Sequence, residues 1–236
     1  MWSRSPICLW IWAAAGALAF QPDTAMLRRT FEEALSRRER EYGDADARTA
    51  QAARDLGLFL CRAGDGPSAR RAMANAVRID EKALGASGPQ TLEDAATLAS
   101  VSPRAEAEPL LRRAAESSDP TVAGPALTSL AEMRKAAGDR AGAAALLRRA
   151  LEKAQAVDGK EGPTAALILN ALALVVEPKE AIALLQRALA IDRQELGRQS
   201  APTLRDVRKL ASLLRAAGRA TEAAQLEREF MVSAAH

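Results

Sequence analysis

Residues 169 to 197, LNALALVVEPKEAIALLQRALAIDRQELG, begin as an almost continuous apolar run and end as an amphipathic one. In the second half Ile182, Leu185 and Leu189, with Ala181 and Ala188, recur at the three- and four-residue spacing of one helix face. Pro178 stands between the halves. Proline lacks an N–H and is tolerated in a first helical turn, so it reads as the start of a second helix. On that reading ALALVV is the buried end of a shortened first helix and not a strand.

The pattern repeats along the chain. Ala34 to Gly43, Ala76 to Gly85, Ala150 to Gly159 and Ala188 to Gly197 share one offset, in ALSRREREYG, AVRIDEKALG, ALEKAQAVDG and ALAIDRQELG. A glycine closing an amphipathic run predicts a helix C-cap in the left-handed conformation. After these ends come GPQTL (88–92), DPTVA (119–123), GPTAA (162–166) and APTLR (201–205). Proline stops the preceding helix, and threonine is expected to cap the next. Thr91 with Asp94, and Thr203 with Asp206, have the spacing of a capping box with Asp in the acidic place.

Each unit therefore predicts two helices. The first carries a leucine followed by a small residue: Leu56-Gly57, Leu98-Ala99, Leu130-Ala131, Leu172-Ala173 and Leu210-Ala211. The second has its own small residue at Ala69, Ala107, Ala143, Ala181 and Ala223. Small side chains at both points let paired helices approach closely. The gaps between them alternate: 12, 8, 12, 8 and 12 residues. The second and fourth units have lost about one helical turn, and SVSPRAEA and LVVEPKEA put proline at those places.

Composition supports helices. Apolar residues make up 48%, charged residues 27% and aromatics 3%, so a core must come mainly from Leu, Ala, Val and Ile. Residues 1–19 differ from the rest: MWSR precedes the uncharged run Ile7 to Ala19, which ends in Ala17-Leu18-Ala19. Thirteen apolar residues are too few to span a bilayer, and the small-x-small ending predicts a cleaved secretory signal. Export to a periplasm or the exterior is the expectation, with no membrane span after cleavage. The mature part, 20–236, then holds Cys61 as its one thiol and a net charge of +2, since Arg4 leaves a chain of net +3. So small an excess implies no nucleic-acid partner.

A helix pair every 34 to 42 residues, with Leu-Ala in the first helix and Gly-x4-Ala-x6-Ala-Leu across the turn, resembles the tetratricopeptide repeat. AAGDRAGAAALLRRALEKA (136–154) matches best, with Gly138, Ala143, Leu147, Ala150 and Leu151 at the packing positions. The long period, the ALAIDRQELG tail and the proline-threonine starts look like the kinesin-light-chain variety found in bacteria. The resemblance implies an all-α fold: a right-handed α-solenoid of antiparallel helix pairs. It would have a half-repeat helix at 24–43 and five pairs at about 46–85, 88–118, 120–159, 163–197 and 202–236. First helices would line a groove that takes a peptide or helix of a partner protein.

Chemistry has little to work with. The single histidine is His236, the last residue, and there is no glycine-rich phosphate loop and no cluster of metal ligands. No catalytic residue, cofactor or metal is expected. Cys61 reads as a half-buried small hydrophobe. The Arg-Arg pairs at 28–29, 37–38, 70–71, 112–113 and 148–149 lie near carboxylates and read as a solvated face.

By the resemblance, the groove side would show Arg54, Leu58 and Arg62, then Thr128, Glu132 and Lys135, then Asn170 and Leu174, and lastly Arg205, Arg208 and Arg215. Asn170 matches asparagines that hold a peptide backbone in kinesin-light-chain repeats. Arg54, Thr128 and Arg208 stand at that place in other units, so an asparagine ladder is absent. Basic ends with a milder centre imply an acidic or carboxylate-ended peptide. Phe230, Met231 and Val232 in the last helix either dock back on the chain or mark a homo-oligomer surface. The function expected is a non-enzymatic protein–protein interaction scaffold. The alternative is a homo-oligomerisation module of the cell envelope without a dedicated peptide.

Overall fold

The computed structural model describes residues 24–231, so the leader read at 1–19, Val232 and His236 lie outside the described residues. Among these, eleven helices and no strand are found. They are α1 Thr24–Tyr42, α2 Ala47–Arg62, α3 Gly66–Leu84, α4 Pro89–Ser100, α5 Arg104–Ala115, α6 Pro120–Ala136, α7 Arg140–Asp158, α8 Pro163–Ala173, α9 Pro178–Leu196, α10 Ala201–Ala216 and α11 Ala220–Met231. Starts are marked chemically. The Asp46, Asp65, Asp119 and Asp139 carboxylates accept from backbone N–H groups of their helices, and six helices carry proline at their first or second position.

The helices fall into two compact units that divide between Ser117 and Ser118. In the first, α2 pairs with α3 and α4 with α5, while α1 packs on α2 and α3 on α4. In the second the pairs are α6/α7, α8/α9 and α10/α11, stacked through α7 on α8 and α9 on α10. Alanines occupy the closest approaches: Ala50, Ala53 and Ala76 with Ile79 in the first unit, and Ala165, Ala166 and Ala188 with Leu169 and Ile191 in the second. The Phe31 and Phe59 rings stack at 5.1 Å beside Leu56, Leu60 and a half-buried Cys61. Gly57 is a close fit between α2 and α3. A Cβ there would lie 2.5 Å from Met73 Sδ and 2.8 Å from its Cγ.

Several local expectations change. Gly85, Gly159 and Gly197 close their helices at φ 84°, 83° and 86°, but with ψ of 160°, 175° and 162°. That is the extended positive-φ region reserved to glycine, and not the left-handed helical one. The capping boxes do not form. Thr91 and Thr203 sit three residues inside their helices, and their hydroxyls donate back to the Gly85 and Gly197 carbonyls at 2.9 and 2.8 Å. Asp94 and Asp206 are fully buried between helices instead.

Pro178 starts α9. Glu177, in front of it, is held extended at φ −68°, ψ 150°, so α8 stops at Ala173. Residues 174–176 form the turn, with Val175 and Val176 buried and Leu174 exposed. Phe230 is docked back. It is 3% exposed, with the Arg193 and Arg198 guanidinium groups over its ring and Gln199 Nε2 donating to its carbonyl at 3.0 Å.

Candidate functional site

Arg54, expected in a groove, is a buried structural cation. Its side chain is 12% exposed. Its Nε donates to Asp94 Oδ1 at 2.5 Å, its Nη2 to Asp80 Oδ2 at 2.9 Å and its Nη1 to Gln51 Oε1. Asp80 on α3 and Asp94 on α4 are both fully buried, so one guanidinium ties three successive helices together. Two carboxylates share it, and Asp80 Oδ1 and Asp94 Oδ2 have no hydrogen-bond partner among the described residues. Burial, then the charge of Asp94, push the Asp80 carboxyl up to about 6.

The second unit repeats the arrangement with different chemistry. Asn170 of α8 stands where Arg54 stands, and Asp192 of α9 and Asp206 of α10 replace Asp80 and Asp94. Asn170 Nδ2 donates to Asp206 Oδ2 at 2.8 Å and to the Ala166 carbonyl at 3.3 Å. The cation comes from α10: Lys209 Nζ donates to Asn170 Oδ1 at 2.8 Å. Burial pushes both carboxyls above the usual range and the Lys209 ammonium below its own. Both ends of the Asn170 amide are therefore engaged within the chain.

Four of the other nine expected groove residues are engaged too. Thr128 Oγ1 donates to the Gly124 carbonyl at 3.0 Å, Lys135 pairs with Glu132, and Arg215 pairs with Glu227. Leu58 is half-buried, while Arg62 and Arg205 are exposed. Leu174 and Arg208 are brought together.

They line a hollow of about 850 Å³ in the second unit. Ala173, Leu174 and Val176 from the α8–α9 turn, Ala181 and Leu185 of α9 and Leu213 of α10 give it apolar walls. Arg140 of α7 and Arg208 and Lys209 of α10 supply three cations against the single carboxylate of Glu177. Arg140 Nη2 points at the Leu174 and Val176 carbonyls, 3.4 and 3.5 Å away. Arg208 is exposed and makes no hydrogen bond or ion pair among the described residues. Leu167, earlier on α8, is 53% exposed and Leu174 is 55% exposed.

Such a place can take an apolar side chain next to negative charge. Sequence reasoning named Leu174 and Arg208 but missed Arg140, Lys209 and Leu213. Among the described residues no cluster of His, Cys, Asp or Glu has the makings of a metal site, and no helix is long and apolar enough to cross a membrane.

Residues 49–90 match the family model described as tetratricopeptide repeat. No curated protein matches. Among solved structures, BtubC (BKLC) from P. vanneervenii superposes with a TM-score of 0.68 at 20% identity, covering 88% of each chain. A Podosopora anserina putative kinesin light chain with nearly identical TPR-like repeats aligns over 90% of this chain and 96% of its own, at 17% identity and a TM-score of 0.44. A substituted form of that protein aligns over 89% of this chain and 85% of its own, at 17% identity and a TM-score of 0.39. The chain is thus an all-α solenoid of tetratricopeptide-like helix pairs, similar in fold to BtubC (BKLC).

Proposed function

We propose that the chain is a non-enzymatic scaffold that holds an acidic segment of a partner protein against the α8 and α10 face of its second unit. The observation that carries this reading is what folding leaves unused there. Leu167 and Leu174 are exposed on α8 and the turn after it, and Arg208 beside Leu174 has no partner among the described residues. Elsewhere Arg54 is tied up between two buried aspartates and Arg215 on Glu227, while Arg62 and Arg205 are exposed but do not line the hollow beside Leu174. A fold of tetratricopeptide-like pairs suits protein–protein contact. Export is part of the proposal and rests on the leader read at 1–19.

Capture from envelope extract tests it, comparing the full chain with a Leu167→Ser/Leu174→Ser form. The reading expects specific polypeptides bound by the first and lost by the second. Identical recoveries by both forms overturn it. Recovery of the chain's own copies alone establishes a homo-oligomerisation module in its place.

A further inference from the structure

The hollow exists because one helix is a turn too short. α10 runs five residues past Ala211 and α6 five past Ala131, whereas α8 ends on the equivalent Ala173. The first residues of that overhang, Ser212 and Leu213, wall the hollow, and so do Leu174 and Val176 of the turn that replaced the missing helix. Pro178 enforces the shortening by keeping Glu177 extended. A deletion that merely tightened the stack would have left no space; this one leaves about 850 Å³.

Resting on the reading above, we propose that this notch is a specificity pocket for one aliphatic side chain of a partner polypeptide, flanked in that polypeptide by carboxylates. The walls are aliphatic, with no ring to stack against. The rim carries Arg140, Arg208 and Lys209 against Glu177, so the complementary occupant bears negative charge close to its apolar group. Leu174 is 55% exposed, so the notch stays open on one side. Small-molecule sites usually enclose most of their ligand, whereas an open notch suits a side chain whose own backbone continues outside.

The test uses the full chain and a fluorescein-labelled acetylated pentapeptide, Glu-Asp-Leu-Asp-Glu, read by anisotropy. Controls are the peptide with Ser for Leu and the charge-reversed Lys-Lys-Leu-Lys-Lys. Protein variants are Leu174→Ser, Arg208→Glu and, as a charge-matched control on the first unit, Arg62→Glu, each checked for helix content by circular dichroism. Loss of one buried leucine contact corresponds to about tenfold or more in affinity. The proposal expects that loss with Leu174→Ser, with Arg208→Glu and with the Ser peptide, no binding of the lysine peptide, and no change with Arg62→Glu. If Arg208→Glu weakens binding while Leu174→Ser and the Ser peptide do not, the face binds acid but the notch is no pocket, and this proposal alone falls. If the intact chain binds neither acidic peptide, the notch proposal falls too, and partner capture decides the wider reading.

Discussion

Two junctions, one in each unit, use the same positions in opposite ways. Where α2, α3 and α4 meet, the cation is Arg54, on the first helix of the three, and it reaches both aspartates directly. Where α8, α9 and α10 meet, that position holds Asn170, and the cation is Lys209 on the last helix, linked to Asp206 through the asparagine amide. A third junction, of α6, α7 and α8, carries Thr128, Ala154 and Ile168 at the matching places and is apolar, with Ala154 and Ile168 each 4% exposed. Burial at this position is thus the constant. The chemistry is free to vary: Asp80, Asp94 and Asp206 each accept from a donor, while Asp192 lies in the field of Arg205 and Lys209. Placing the cation on α10 also puts Lys209 at the edge of the hollow, whereas Arg54 is closed in.

The sharpest way to break the comparison is to remove each cation. Arg54→Met strands two buried carboxylates and is expected to cost about 3–5 kcal/mol in urea unfolding at pH 7. Lys209→Met leaves Asp206 its bond from the Asn170 amide and is expected to cost less, about 1–3 kcal/mol. Equal losses would show that the two junctions do not differ as described. Gly57→Ala comes next, at about 1–3 kcal/mol, because Met73 must move to admit the methyl group.

A pH series sharpens the picture further. The folded Asp80 carboxyl binds its proton up to about pH 6, against 3.8 when unfolded. Its stabilising contribution is therefore complete below 3.8 and is lost as pH rises through about 6. Asp80's share of the unfolding free energy should decline across that window, so stability should fall more steeply with pH in the intact chain than in Asp80→Asn, where the raised Asp192 and Asp206 carboxyls still titrate. An unchanged slope would remove Asp80 from the account. The smallest effect is expected from Arg208→Glu, within about 0.5 kcal/mol, since that side chain is exposed and unpaired.

Much of the fold was legible from residues alone. The recurring Ala-to-Gly offset marked the ends of second helices, and the alternating gaps marked α4 and α8 as short, because glycine and proline act locally on the backbone. The site was less legible. Arg54 and Asn170 occupy a first-helix position that faces the neighbouring pair, and whether such a side chain points to solvent depends on what the next helices put opposite it. A signal was present: Asp80 and Asp192 stand where another unit has Ala154, and Asp94 and Asp206 where it has Ile168. Acids at positions elsewhere apolar announce buried polar contacts, but their spacing from Thr91 and Thr203 imitated a capping box. The gap of 8 residues disclosed a lost turn. Only the packing of α10 against that turn disclosed the space left behind.

The central claim is that the buried cations hold the stack together and that Arg208, beside Leu174, is left for a partner. Amide chemical-shift mapping of the full chain with the Glu-Asp-Leu-Asp-Glu peptide tests it most directly. The account predicts shifts gathered on residues 173–178 and 205–213, with the amides around Arg54, Asp80 and Asp94 unmoved. Shifts centred on Arg54, or spread evenly over both units, would contradict it.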